Sequence, residues 1–232
     1  TMTAVTQSGY GGVEVLRTER RARPAPDRDE VLVRVMAMSP DSGTVHLMKG
    51  DPYAVRLALG LRRPRQQVIG LAFAGVIEQV GSEVRDLAVG DRVAGTAWAA
   101  CAEFVVASPA KLARIPDSVT MVDASTLPVS AGTALQAVRD SARVGPGQSV
   151  LVIGAGGGVG AYLVQLAVDA GARVTGLASA AKAEFVRSLG AERVIDYRAV
   201  TEPQQWGRFD VVVDTADGRP LHVLRRALSE RG

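Results

Sequence analysis

Between Val150 and Val174 the chain reads VLVIGAGGGVGAYLVQLAVDAGARV: an apolar run, a knot of glycines, then a regular amphipathic stretch. No other feature narrows the possible folds as much. Gly154, Gly157 and Gly160 recur every third residue at the end of a strand pattern, with Gly156 and Gly158 beside them. Val159, Leu163, Leu166, Ala167 and Ala170 then fall on one helical face. A strand that turns through bare backbone into a helix exposes amides at the helix N-terminus, and those amides and the helix dipole attract phosphate. Side chains at the turn would hold a pyrophosphate away. The spacing therefore points to a dinucleotide site with Gly154, Gly157, Gly158, Val159 and Gly160 on its phosphate side.

The rest of the chain divides around this motif. Downstream of about Pro116, the runs SVLVIGA, RVTGLAS, RVIDY and FDVVVDT alternate with helical stretches, and residues 123–142 (DASTLPVSAGTALQAVRDSA) and the last thirteen (PLHVLRRALSERG) read as helix. Strand and helix alternating at roughly 25 to 30 residues predict a parallel sheet covered on both faces. Upstream, VEVLRT, DEVLVRVMAMS, QQVIGLAFAGVIEQVG, GDRVAGTAW and AEFVVAS are short strand-like runs separated by Gly, Pro and Asp, with no sustained helical period. They predict an irregular barrel or sandwich. The expected boundaries are residues 1–115 and 116–232.

Composition excludes several classes. No apolar run reaches the roughly 18 to 20 residues of a membrane helix, and the first thirty residues carry no signal-peptide core. A cytoplasmic protein without a membrane partner is expected. Cys101 is the single cysteine, which leaves no internal disulfide and no multi-cysteine zinc site. Against 27 basic residues stand 24 acidic ones, and only 4% of the chain is aromatic. Clusters such as LRRPR (61–65) thus read as solvated loop rather than as a nucleic-acid surface, which needs stacking partners.

The second strand of the parallel series indicates which dinucleotide would bind. A site for NAD usually offers a carboxylate there to the ribose hydroxyls, but RVTGLASAAKAEF has none before Glu184 and places Ala178 and Ser179 in the slot. Ser179, Lys182 and Tyr197 are candidates to hold a 2′-phosphate instead, which favours NADPH. Lys182 reads equally as a solvated helix residue.

Taken together, GYGGVEVL, residues 70–95 (GLAFAGVIEQVGSEVRDLAVGDRVAG), AEFVV, LARIPDSVT, LPVSAGTALQAV, the glycine motif and SLGAERVIDY resemble the zinc-free quinone oxidoreductase branch of the medium-chain dehydrogenase/reductase superfamily, the zeta-crystallin-like enzymes. The resemblance implies an α/β chain with a GroES-like β-barrel domain on the substrate side, followed by a Rossmann doubly wound parallel sheet that holds NADPH. It implies hydride transfer, without a metal, to a quinone, enone or related conjugated acceptor. Thr133 fits the family's nicotinamide-side helix, though Thr also caps helices. Thr215, ending FDVVVDT, joins the expected cofactor set. Two other readings are a biosynthetic reductase coupling hydride addition to cyclisation of a polyene, and a truncated, non-catalytic cofactor- or partner-binding module.

The departures from the family pattern matter as well. The zinc dehydrogenases of the superfamily carry Cys and a His-Glu pair where this chain has Asp41 and Leu71-Ala72, so no catalytic metal is expected. Asp41, Thr44, His46 and Tyr53 are the polar groups expected nearest the nicotinamide, and Asp41, Thr44 and Tyr53 are the candidates to polarise or protonate the acceptor. Asp41 and His46 read equally as caps of a turn, and Tyr53 as a loop residue. Four strands are legible where the family's sheet has six, and two further units would need about 60 residues on the scale of one β/α unit. A fragment or shortened chain is expected, and the edge strand that the family uses for a homodimer is not in this sequence.

Overall fold

A computed structural model describes residues 1–216 and 218–230. The chain folds as two compact units, Thr1–Val129 and Ser130–Gly232.

In the first unit β1 (Met2–Gln7) pairs antiparallel with β2 (Leu16–Arg21). A five-stranded antiparallel sheet follows, built from β3 (Val31–Ser39), β4 (Ala72–Val80), β5 (Arg92–Thr96), β6 (Phe104–Ala107) and β7 (Leu112–Arg114) in the order β6-β3-β4-β5-β7. Its central strands are apolar where they are buried on both faces, whereas Arg34 and Met36 of β3 are exposed. Val31, Val33, Phe73, Ile77, Val93 and Val105 form one core, while Ala74 and Ala94 turn to the other side and pack with Ile115 and Ala124. Full burial of a side chain such as Phe73 stabilises by about 1.5–3 kcal/mol. Register shifts between Leu32 and Val33 and between Val35 and Ala37 bend β3, as bulges do.

Two short helices interrupt this unit where the sequence shows no helical period: α1 (Ser42–Lys49) and α2 (Val55–Leu59). Local capping makes α1. The Asp41 carboxylate accepts from the Thr44 amide, and Gly50 at φ 62° ends the helix in a left-handed turn. Helix α3 (Met121–Thr126), capped by Thr120, supplies Ala124 to the covered face of the sheet. The first unit accordingly runs on past residue 115 to Val129.

The second unit holds α4 (Gly132–Leu135) and a parallel sheet of β8 (Ser149–Ile153), β9 (Arg173–Ala178), β10 (Arg193–Asp196) and β11 (Val211–Asp214), in the order β10-β9-β8-β11. Val150 and Val152 of β8 face α5 (Gly158–Asp169), whose Leu163, Val164 and Ala167 complete one core. Leu151 and Ile153 face the opposite way, onto Trp206 and Phe209. Burial on both faces is why the strands read as unbroken apolar runs. Helix α6 (Ala183–Ser188) adds Val186 to the α5 side. The expected helix over 123–142 is divided: Leu127–Ala131 and Gln136–Ser141 adopt wide π-type turns. The expected helix at the C-terminal end is shorter than read. It comprises α7 (Leu221–Leu224) and a 3-10 turn at Arg225–Ala227, after which Leu228 bridges to Phe209. No helix among the described residues is long and apolar enough to cross a membrane.

Candidate functional site

The strand order of the second unit fixes where a ligand can sit. From β8 the chain crosses to β9 and β10 on one side and to β11 on the other, so a crevice opens at the carboxyl ends where the order reverses. A cleft of about 470 Å³ lies there, lined by Ile153 at the end of β8, Ala178 at the end of β9, Tyr197 after β10 and Thr215 after β11. Gly154, Gly156 and Gly157 form its floor. Gly154 turns the chain at φ 79°, a conformation that side chains resist. Gly157 is the N-cap of α5 and offers no side chain to cap its first turn, which leaves amides of that turn to a ligand.

Of the expected cofactor residues, Gly154, Gly157, Ser179, Lys182, Tyr197 and Thr215 line this cleft. Gly158, Val159 and Gly160 make the first turn of α5. Thr133 lies on α4, exposed, and is not among the lining residues. The Lys182 ammonium donates to the Gly156 carbonyl at 2.6 Å, and the Thr215 hydroxyl donates to the Ile153 carbonyl at 2.9 Å. Four lining residues were not foreseen: Ile153, Leu177, Ala216 and Arg219. Ala216 follows Thr215, and Arg219, whose guanidinium lies 5.3 Å from the Trp206 ring centroid, adds a second cation. Only an arginine after the fourth strand could have signalled it. Among the described lining residues none is acidic.

In the first unit, Asp41 and Thr44 are brought together at the start of α1. Asp41 Oδ1 accepts from the Thr44 amide at 2.6 Å, while Asp41 Oδ2 and Thr44 Oγ1 are buried without a hydrogen-bond partner among the described residues. A buried polar atom left unpaired costs about 1–3 kcal/mol, so such atoms mark places built for a ligand or a water. Thr44 lines a cavity of about 40 Å³ whose other walls are mainly apolar. Tyr53 is 75% exposed, lies against the Arg56 guanidinium at 4.4 Å, and does not line that cavity. His46 is exposed on α1. Burial pushes the Cys101 thiol above its usual range, which keeps it protonated. Among the described residues no three His, Cys, Asp or Glu side chains gather as a metal cluster.

Residues 27–117 match the family model of the alcohol dehydrogenase GroES-like domain, and residues 158–232 match that of the zinc-binding dehydrogenases. The chloroplast envelope quinone oxidoreductase homolog of Arabidopsis thaliana is 34% identical across the whole of this chain and 73% of its own length. The chain belongs to the quinone oxidoreductase branch of the medium-chain dehydrogenase/reductase superfamily. A solved quinone oxidoreductase from Coxiella burnetii superimposes on this oxidoreductase with a TM-score of 0.89 and 29% identity, covering 100% of this chain and 74% of that one. The NADPH-dependent alkenal/one oxidoreductase of Arabidopsis chloroplasts is 32% identical over 92% of this chain and 57% of its own length. The oxidoreductase is thus an enzyme of the medium-chain reductase type, with a GroES-like unit followed by a Rossmann-like one.

Proposed function

We propose that this oxidoreductase uses NADPH, without a metal ion, to reduce a quinone, enone or related conjugated carbonyl acceptor. The observation that carries the cofactor choice is the charge of the cleft: Ala178 and Ser179 stand where a carboxylate would repel a 2′-phosphate, and Lys182 and Arg219 line the same space. The residues fit the cofactor. The uncapped first turn of α5 would receive the pyrophosphate, the glycines would let it approach, and Ser179, Lys182 and Tyr197 would hold the 2′-phosphate. When bound, the reduced nicotinamide supplies the hydride. The alkenal/one oxidoreductase relative, named as NADPH-dependent, supports both the cofactor and the acceptor class.

In the first unit we assign the Thr44 hydroxyl to the acceptor's carbonyl oxygen. It is buried, and with no partner among the described residues it is available to donate; such a bond strengthens as negative charge develops on the oxygen. Asp41 holds the turn that presents Thr44. Direct titration of NADPH and NADH tests the reading: NADPH binds more tightly in the parent, and Ala178→Asp reverses the order. Equal affinities in the parent, or loss of activity on prolonged chelation, refute it.

A further inference from the structure

A second side chain shares the Thr44 cavity. Gln7, the last residue of β1, is 4% exposed, and its Oε1 is buried without a partner among the described residues. Its backbone is held in place: the Gln7 amide donates to the Gln67 carbonyl at 2.8 Å, and Gln7 pairs with Leu16 of β2. Thr44 is 5% exposed, at the third position of α1. Its hydroxyl, too, is buried without a partner among the described residues. Both residues line one cavity with Met48, Leu59 and Ile69 as apolar walls and Trp98, half exposed, beside them.

The two polar atoms are chemically complementary. An amide oxygen only accepts, whereas a hydroxyl can donate. A single ligand satisfies both by presenting a carbonyl to Thr44 and an O–H to Gln7. The volume sets the scale: about 40 Å³ against the roughly 10–15 Å³ that one water needs by the same kind of measure leaves room for a carbonyl with one small substituent.

We propose that Gln7 and Thr44 form a subsite for the polar end of the acceptor, and that this oxidoreductase prefers conjugated ketones carrying a hydroxyl beside the carbonyl. The hydroxyl hydrogen goes to Gln7 Oε1 and the Thr44 hydroxyl hydrogen to the ketone oxygen, so both of these buried atoms gain a partner. This specificity rests on the acceptor class proposed above.

A matched pair of acceptors tests it, because hydroxymethyl vinyl ketone and ethyl vinyl ketone differ by a hydroxyl in place of a methyl group. In the parent protein, kcat/KM for NADPH oxidation is expected to be about tenfold higher with the hydroxylated ketone, one hydrogen bond of about 1.4 kcal/mol. Gln7→Met keeps the length of the side chain and removes the acceptor. It brings the ratio of the two kcat/KM values to near one, and Gln7→Leu does the same should the Met variant fold poorly. Equal rates in the parent, or a preference that survives both substitutions, overturn the proposal and leave the cavity as the seat of a structural water only. If neither ketone is reduced, the acceptor reading fails, and the subsite is judged by binding. Trp98 at the cavity is one of two tryptophans, the other being fully buried Trp206. Saturable quenching by hydroxyacetone in the parent, lost in Gln7→Met and in the Trp98→Phe control, supports the subsite; no quenching in the parent overturns it.

Discussion

Replacing Gly160 by alanine sets two effects against each other at the phosphate-side turn. Alanine is the better helix former by about 1 kcal/mol, and Gly160 lies inside α5. A methyl group there would come within 2.8 Å of the Gly154 carbonyl carbon and 2.9 Å of Ala155 Cα, and would overlap the Gly154 oxygen. All three are backbone atoms, so no side chain can rotate away. Opening 2.8 Å to the 3.4 Å where ordinary contact begins takes at least 3.4 − 2.8, or 0.6 Å, between the helix and the end of β8, and clearing the still closer Gly154 oxygen takes more. Overpacking of this kind costs about 1–3 kcal/mol, which exceeds the propensity gain. Gly160→Ala should therefore lose up to about 2 kcal/mol, or several degrees of Tm at about 2–4 °C per kcal/mol for a chain of this size. Gly158→Ala is the control. Its methyl meets only the Ser130 hydroxyl oxygen, at 3.3 Å, which can turn aside, so stability should hold or rise. Urea unfolding with and without saturating NADPH reads both consequences, because a ligand at free concentration L that binds only the folded state stabilises it by RT ln(1 + L/Kd), a gain that shrinks as affinity falls. Gly160→Ala should also show the smaller NADPH-dependent gain. Unfolding at the parent's midpoint with the parent's full NADPH gain would refute the packing argument.

Asp41→Ala should destabilise the first unit by about 1 kcal/mol through loss of the α1 cap, and Asp41→Asn by much less, as read from thermal unfolding. Thr44→Val should lower kcat by about 2.7–4 kcal/mol of transition-state stabilisation if its hydroxyl acts as an oxyanion donor does, with NADPH affinity unaltered. Asp210 accepts from the Ser149 amide and hydroxyl and from the Ser229 hydroxyl, and these bonds hold its carboxyl below the usual carboxylate range. Its contribution is present above the unfolded-state pKa and is lost as pH falls through the lower folded value. Asp210→Asn should thus unfold more easily at neutral pH and match the parent in acid, as urea midpoints across that range will show.

Long-range order was more legible in the sequence than local capping. The parallel sheet could be read because strands buried on both faces leave continuous apolar runs at regular spacing, and the glycine turn because few other arrangements need so much bare backbone. Helix α1 escaped because SGTVHLMK is only eight residues long, too short for its helical period to stand out among strand-like runs; its signals were the cap Asp41 and the stop Gly50, which also read as a turn. The excess helix at the C-terminal end arose from PLHVLRRAL, whose leucines satisfy a helical period, whereas Leu228 is drawn to Phe209. In the candidate site, residues beside the glycine motif were accessible because the motif fixes their place. Gln7 and Arg219 were not, since each reaches its cavity through a tertiary fold that no local pattern encodes. Asp41 and Thr44 were identified through the resemblance, and the structure adds that one caps the turn carrying the other.

The hydrogen bond from Lys182 to Gly156 has a bearing on how the cleft meets any anion. A free lysine surrenders up to about 2 kcal/mol of rotamer entropy when it is pinned; here the ammonium is already held against the glycine turn at 2.6 Å. An ammonium has three donors, so one bond to the loop leaves two for an incoming phosphate, and the anion need not break the first to gain the others. The same bond ties the loop to the segment between β9 and α6, so charge recognition and the shape of the turn are set by one side chain. Arginine would bring a planar fork in place of a compact point charge, and it would have to give up either the carbonyl or the alignment with the anion. At this position a change that conserves charge does not conserve geometry.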